Sequence, residues 1–223
     1  MLKIIRQIIS PEEVAAVRDA AKAGEFVDGM NSAGFLVADR KMNEELAVGA
    51  QGREQLVRML LARLWQNKTL QVLARPRRIM PPIMSRYRPG MHYGDHMDNA
   101  IMGGAQPFRV DCSITIFLED PDSYEGGELI IDTAPGTQRI KLPPGDAILY
   151  PTHFIHRVDE VTQGERLAVV TWIESTVRDP ARRQILFELA AVAEDLHQRA
   201  PESDAFMTLE KARFNLLRMW ADT

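Results

Sequence analysis

The chain has 223 residues, 45% of them hydrophobic and 26% charged, with a formal net charge of −4. That length fits one sizeable β-rich domain with helical additions, and the balanced charge offers no electrostatic footprint for a polyanion, so nucleic-acid binding is not expected. Ordinary glycine, proline and aromatic contents exclude a fibrous or disordered chain.

In chain order, Leu2 to Ile9 reads as a short strand. Ser10-Pro11-Glu12-Glu13 combines an N-cap serine, a first-turn proline and a capping-box glutamate, which starts a helix that runs to about Ala23 and stops at Gly24. Residues 24–43, with scattered glycine and asparagine, read as a loop or hairpin. From Glu44 to about Arg75 the pattern is helical, with Leu56, Leu60 and Leu64 on one stripe, until Pro76 ends it. From residue 77 to about 175, short apolar runs alternate with turn clusters such as Pro89-Gly90, Gly103-Gly104, Gly126-Gly127, Pro143-Pro144-Gly145-Asp146 and Gln163-Gly164. The runs Cys112 to Leu118, Glu128 to Ile131, Arg139 to Leu142, Ala147 to Tyr150, Phe154 to Val158 and Arg166 to Ile173 have the spacing of an antiparallel jelly roll. Asp179-Pro180 opens a helix with Ile185, Leu189, Val192 and Leu196 at helical spacing. After Pro201 a last helix places Phe206, Leu209, Leu216 and Trp220 on one face. The expected fold class is therefore mainly β with flanking α. Residues 1–76 form a strand and helical support, 77–176 a double-stranded β-helix core, and 177–223 a C-terminal helical extension.

The single cysteine, Cys112, cannot form an internal disulfide and reads as a small buried hydrophobe. The amino terminus is too short and polar for a signal segment, and no run approaches the roughly 20 apolar residues of a membrane span. No membrane association and a cytoplasmic location are the expectations.

Three side chains carry the candidate chemistry. On a strand, residues two apart share a face, so His96-Met97-Asp98 sets an imidazole beside a carboxylate. A distant histidine from a neighbouring strand, His156, completes a 2-His-1-carboxylate facial triad. Such a triad leaves three of six octahedral positions open on Fe(II), enough for a chelating cosubstrate and O2 together. Arg166, on the next expected strand, could grip the far carboxylate of a dicarboxylate cosubstrate through a bidentate pair. Two other histidines compete. His92 and His96 have helical i, i+4 spacing suited to zinc, but Pro89, Gly90 and Gly94 argue against a helix there. His153 sits in the turn after Pro151, whereas His156 lies within the apolar strand run. His197 reads as a solvated residue of the tail helix.

Residues 87–98, Tyr-Arg-Pro-Gly-Met-His-Tyr-Gly-Asp-His-Met-Asp, resemble the Tyr-x-x-Gly-x-x-Tyr-x-x-His-x-Asp pattern of prolyl-4-hydroxylase-like dioxygenases. Gly126-Gly127-Glu128-Leu129, Pro144-Gly145-Asp146-Ala147, Tyr150-Pro151, His156-Arg157-Val158 and Gly164-Glu165-Arg166 continue the likeness over roughly residues 77–175, and the set is similar to bacterial PKHD-type hydroxylases. That resemblance implies an Fe(II)- and 2-oxoglutarate-dependent dioxygenase releasing succinate and CO2, with iron on His96, Asp98 and His156. It also makes Arg166 the 2-oxoglutarate anchor, sets Tyr87 near the cosubstrate, and implies L-ascorbate as reductant and a link to iron uptake. It fits His156 better than His153, from the spacing to Arg166. Some relatives use a strand tyrosine as a second carboxylate contact. The run Cys112 to Leu118 has none, which leaves Thr115 as an open substitute.

The substrate expected on these grounds is a small molecule, with a siderophore-related metabolite as one option, or a protein side chain. Its pocket is expected to be lined from residues 28–43 and 99–108. The apolar tail faces could also pack against a second subunit as a homo-oligomer. Two competing readings are a cupin-like metalloenzyme that does not use 2-oxoglutarate and a non-catalytic iron- or siderophore-sensing module.

Overall fold

Alternation along the central strands divides the molecule into an outer helical layer and an inner space between two sheets. The computed structural model describes residues 2–32 and 40–222. The chain runs through β1 (Lys3–Ile5), α1 (Pro11–Ala23), β2 (Phe26–Asp28), β3 (Lys41–Met42), β4 (Glu44–Leu46), α2 (Arg53–Gln66), α3 (Lys68–Ala74), β5 (Pro76–Ile79), β6 (Ile83–Tyr87) and β7 (His92–His96). It continues with β8 (Ile101–Met102), β9 (Phe108–Arg109), β10 (Cys112–Phe117), β11 (Glu125–Gly126), β12 (Leu129–Thr133), β13 (Gly136–Ile140), β14 (Ala147–Pro151), β15 (His156–Val158), β16 (Val161–Gln163), β17 (Arg166–Ser175), α4 (Pro180–Arg199) and α5 (Asp204–Trp220). The larger sheet has eight strands in the order β1-β14-β10-β17-β6-β4-β2, with β5 also paired to β17. The smaller has five, β13-β12-β15-β7-β3.

In β10, Cys112, Ile114 and Ile116 join a core built with Leu56, Leu60 and Leu64 of α2 and Leu70 and Leu73 of α3. Leu149 of β14 and Leu167, Val169 and Ile173 of β17 belong to the same core. The alternate residues turn the other way: Phe117, Ile148 and Tyr150 pack with Leu129, Ile131 and Val158 of the smaller sheet. Strands of the larger sheet are thus buried on both faces, which is why they read as continuous apolar runs.

The helix starts follow the sequence. Ser10 accepts from the Glu13 amide while the Glu13 carboxylate accepts from the Ser10 amide at 2.8 Å, a complete capping box. Asp179 caps α4 by accepting from the amides of Ala181 and Arg182, with Pro180 in the first turn.

Four expectations are corrected. The first strand ends at Ile5, because Gln7 turns to a positive φ of 44° and gives its amide to Asp146 Oδ1 at 2.8 Å. Glu44–Leu46 is a strand, not the start of a helix. Glu44 and Glu45 pair with Arg86 and Ser85 of β6, and α2 begins only at Arg53, after Gly52 with φ 78°. The helical stretch is two helices, because the Asn67 side chain accepts from the Leu70 amide and restarts the helix as α3. On α4 the buried residues are Arg183, Leu186 and Ala193, while Ile185 and Val192 stay exposed. There the Arg183 guanidinium donates to the Val177 and Arg178 carbonyls at 2.7 and 2.8 Å, so a charged residue occupies the inward face. On α5, Phe206, Leu209, Leu216 and Trp220 are half-buried, as their shared face suggests. Residues 33–39 of the expected 24–43 loop lie outside the described residues.

Leu60 is fully buried between α2 and the larger sheet. Leu60→Ala should cost about 2–5 kcal/mol of stability through lost transfer energy and a residual cavity. Urea unfolding should show a lower midpoint with an unchanged slope.

Candidate active site

β7 and β15 are neighbours in the smaller sheet, and His156 stands directly opposite His96 in the register. Cross-strand partners point to the same face, so the two imidazoles meet, with ring centroids 4.2 Å apart. His96 Nδ1 lies 2.8 Å from the Gly94 carbonyl and His156 Nδ1 3.1 Å from the Phe154 carbonyl. Those contacts assign the proton to each Nδ1 and leave each Nε2 lone pair for a ligand. Asp98, two residues beyond His96, brings Oδ2 to 3.8 Å from His156 Nε2 and accepts a hydrogen bond from Ser113 Oγ. One ligand atom from each of the three lies within 4.8 Å of the others, and among the described residues this is the single cluster of that kind. Two neutral imidazoles and one carboxylate on one side suit a single divalent ion with open positions on its other side.

Aromatic rings hold the histidines in place. Tyr93 stacks on His96 at 3.6 Å and 12°, and Tyr150 meets His156 edge-on at 5.1 Å. Burial first, then the neighbouring His156, lowers the His96 pKa to about 4, so this imidazole is neutral and able to ligate at physiological pH.

A cavity of about 440 Å³ runs from this cluster to Arg166 at the start of β17. Arg166 is 2% exposed, its Nε has no hydrogen-bond partner, and no carboxylate among the described residues pairs with it. Its guanidinium carbon lies 5.1 Å from the Tyr87 ring and 5.5 Å from the Phe117 ring, and while burial raises the Tyr124 pKa, the Arg166 charge acts to lower it. A buried cation without a counter-charge costs several kcal/mol, and a dicarboxylate in the cavity would supply the missing partner. Tyr87 pairs with Arg166 across β6 and β17, is buried, and lines the cavity; burial raises its pKa. Thr115 also lines it.

The competing histidines are elsewhere. His92 opens β7 outside the cluster, His153 is exposed with its ring 4.6 Å from Phe154, and His197 is exposed beside Phe206. Asn99, Ile101, Met102 and Gly103 do line the cavity, as expected for the 99–108 stretch.

Several contributors received no role from the sequence, although Tyr93 and Tyr150 stand within the quoted motifs. Ser113 and Tyr150 support the cluster, Tyr93 and Trp172 line the cavity, and Lys41 Nζ meets Glu45 Oε1 at 2.5 Å on its wall. A signal existed for Ser113 and Thr115: polar residues at every second position of an otherwise apolar run mark the face turned toward a site. Lys41 and Asn43 fall in the expected 28–43 stretch and do line the cavity, but no signal existed for Glu45, whose meeting with Lys41 depends on β3 and β4 joining different sheets.

Residues 82–174 match the 2OG-Fe(II) oxygenase superfamily, and residues 180–222 match the PKHD-type hydroxylase C-terminal domain. A PKHD-type hydroxylase of Crocosphaera subtropica is 42% identical over 222 residues, and one of Maricaulis maris 43% identical over 225, each alignment covering 100% of both chains. The chain belongs to the PKHD-type hydroxylases. It is thus a 2-oxoglutarate-dependent hydroxylase of the iron-using oxygenase superfamily, which sets aside the cupin-like and sensing readings. A viral collagen prolyl hydroxylase from Paramecium Bursaria Chlorella virus-1, solved as a 2OG complex, shares the jelly-roll fold. Its TM-score is 0.54 at 17% identity, covering 78% of this chain and 95% of that one.

Gly127 has φ 66°, and a β-carbon there would come within 2.8 Å of Val161 Cγ2 and 3.1 Å of Arg166 Cδ. Gly127→Ala should therefore displace Arg166 and, where Arg166 pairs with the cosubstrate's carboxylate, weaken 2-oxoglutarate binding about tenfold or more, roughly 1.4 kcal/mol. Mn(II) binding by the same protein should change little, and titration calorimetry with each ligand measures the difference.

Proposed function

We propose that His96, Asp98 and His156 hold one Fe(II) and that Arg166 holds the far carboxylate of 2-oxoglutarate, with Tyr87 beside it. The single observation that carries this reading is the buried guanidinium without a carboxylate, on the same cavity as a two-histidine, one-aspartate cluster. Iron and 2-oxoglutarate supply the oxidising chemistry when bound: one atom of O2 enters the substrate as hydroxyl, the other enters succinate, and CO2 leaves.

The chain's own part is binding, orientation and exclusion of water. Each histidine keeps its Nδ1 proton on a backbone carbonyl and so presents Nε2 in a fixed direction. Arg166, backed by Tyr87 and Phe117, fixes one end of the cosubstrate and thereby the orientation of its reacting end. Met80, Ile83, Val170 and Trp172 make the adjoining wall largely apolar, which suits a substrate with a hydrocarbon part and keeps water away.

The substrate on this reading is a small molecule or a protein side chain. A siderophore-related metabolite is the candidate we favour, on the family's association with iron uptake, with L-ascorbate as the reductant that sustains turnover. We place the reaction in the cytoplasm, in keeping with one buried cysteine and no helix among the described residues long and apolar enough to cross a membrane.

Adding 2-oxoglutarate to the anaerobic Fe(II) protein should produce a weak visible charge-transfer band. His96→Ala should abolish it, and Arg166→Ala should demand much higher 2-oxoglutarate to produce it. A band unchanged in both variants overturns the assignment.

A further inference from the structure

Of the three clustered side chains, Asp98 is the one that the strand ladder does not hold. β7 ends at His96, and residues 97–99 are irregular backbone. The two histidines are also braced by stacked or edge-on tyrosines and by carbonyls at their Nδ1 atoms. Asp98 has none of these supports. Among the described residues, the hydrogen bond to its carboxylate comes from Ser113 Oγ alone.

Ser113 is placed very differently. It lies inside β10, paired on one side with Tyr150 of β14 and on the other with Trp172 of β17, and it is fully buried. Its backbone is therefore fixed from both sides in the middle of the larger sheet, while Asp98 lies on the irregular segment that leaves β7 of the smaller one. Tyr150 stands beside Ser113 as its cross-strand partner, and while burial raises the Tyr150 pKa, Thr115 and Ser113 both act to hold it down. A hydroxyl at 0% exposure needs a partner, since leaving it unmade costs about 1–3 kcal/mol. The partner here is the one loosely held carboxylate of the cluster.

A carboxylate has two equivalent oxygens, and a metal ion can take one or both. With three protein ligands, three octahedral positions stay open, and a chelating 2-oxo acid together with O2 fills all three. A carboxylate free to turn could swing an oxygen into one of them. We propose that Ser113 is a positioning residue for the metal: by donating to Asp98 Oδ2, the oxygen 3.8 Å from His156 Nε2, it holds the carboxylate in one orientation beside the two histidines, with Tyr150 next to the serine. This rests on the assignment of His96, Asp98 and His156 as the metal ligands.

The test uses Mn(II) as the probe on the metal-free full-length protein, read by electron paramagnetic resonance and by calorimetry. Ser113→Ala should alter the Mn(II) spectrum and change the Mn(II) affinity by about 10- to 100-fold, as removal of groups that orient metal ligands does elsewhere. Ser113→Thr keeps the hydroxyl and should restore the wild-type spectrum. Tyr150→Phe, which leaves the serine in place, should shift the spectrum less and in the same direction, and it carries the test if Ser113→Ala fails to fold. A Ser113→Ala spectrum that superimposes on wild type, or a Ser113→Thr spectrum that matches Ser113→Ala, overturns the proposal. His96→Ala separates the two layers: if it also binds Mn(II) as wild type does, the ligand assignment itself has failed.

Discussion

The antiparallel register between β7 and β15 is the constraint on which the rest of the site depends. It sets His156 opposite His96, and because side chains alternate, a slip of one residue would turn both imidazoles out of the cavity. The residues before them, Asp95 and Ile155, are in fact exposed. The register has support from the other side as well: β15 pairs with β12, placing Ile131 opposite His156 and Leu129 opposite Val158. Leu129, Ile131 and Val158 all pack into the space between the sheets. Apolar burial there opposes any slip.

The larger sheet supplies what the smaller one lacks. β17 is held between β10 and β6 along much of its length, so Arg166, Val170 and Trp172 share one inward face. Behind it, α2 and α3 press Leu60, Leu64 and Leu70 onto the outer face. The helical residues thus act on the site indirectly, through the sheet they cover. The first 76 residues also reach the cavity directly, through Lys41, Asn43 and Glu45 on its wall. They contribute β1, β2 and β4 to the larger sheet and β3 to the smaller.

Much of this was legible from residue order. His-x-Asp needs only strand periodicity to place two groups side by side, and the turn clusters between residues 77 and 175 mark the strands clearly. The helix caps at Ser10 and Asp179 are local signals, and they appear as written. What stayed hidden depends on distant chain. Glu44–Leu46 is too short for its periodicity to separate strand from helix, and pairing with Arg86 and Ser85 decides it. The stripe on α4 follows helical spacing, yet Arg183 takes the inward face because carbonyls at Val177 and Arg178 are there to receive it. Ser113 and Tyr150 acquire a role only when β10 and β14 lie side by side across from Asp98.

Arg166 has one more consequence, and it concerns the whole chain rather than the reaction. A guanidinium kept from water without a counter-charge weakens the ligand-free fold, and a dianion that pairs with it binds the folded state alone. Mass action then ties the two together: a ligand at about 100 times its dissociation constant adds about 2.7 kcal/mol to the stability of the state it binds. For a domain of ordinary marginal stability that is a sizeable share. With Arg166 as the proposed 2-oxoglutarate partner, the lifetime of the folded protein would follow the supply of that cosubstrate.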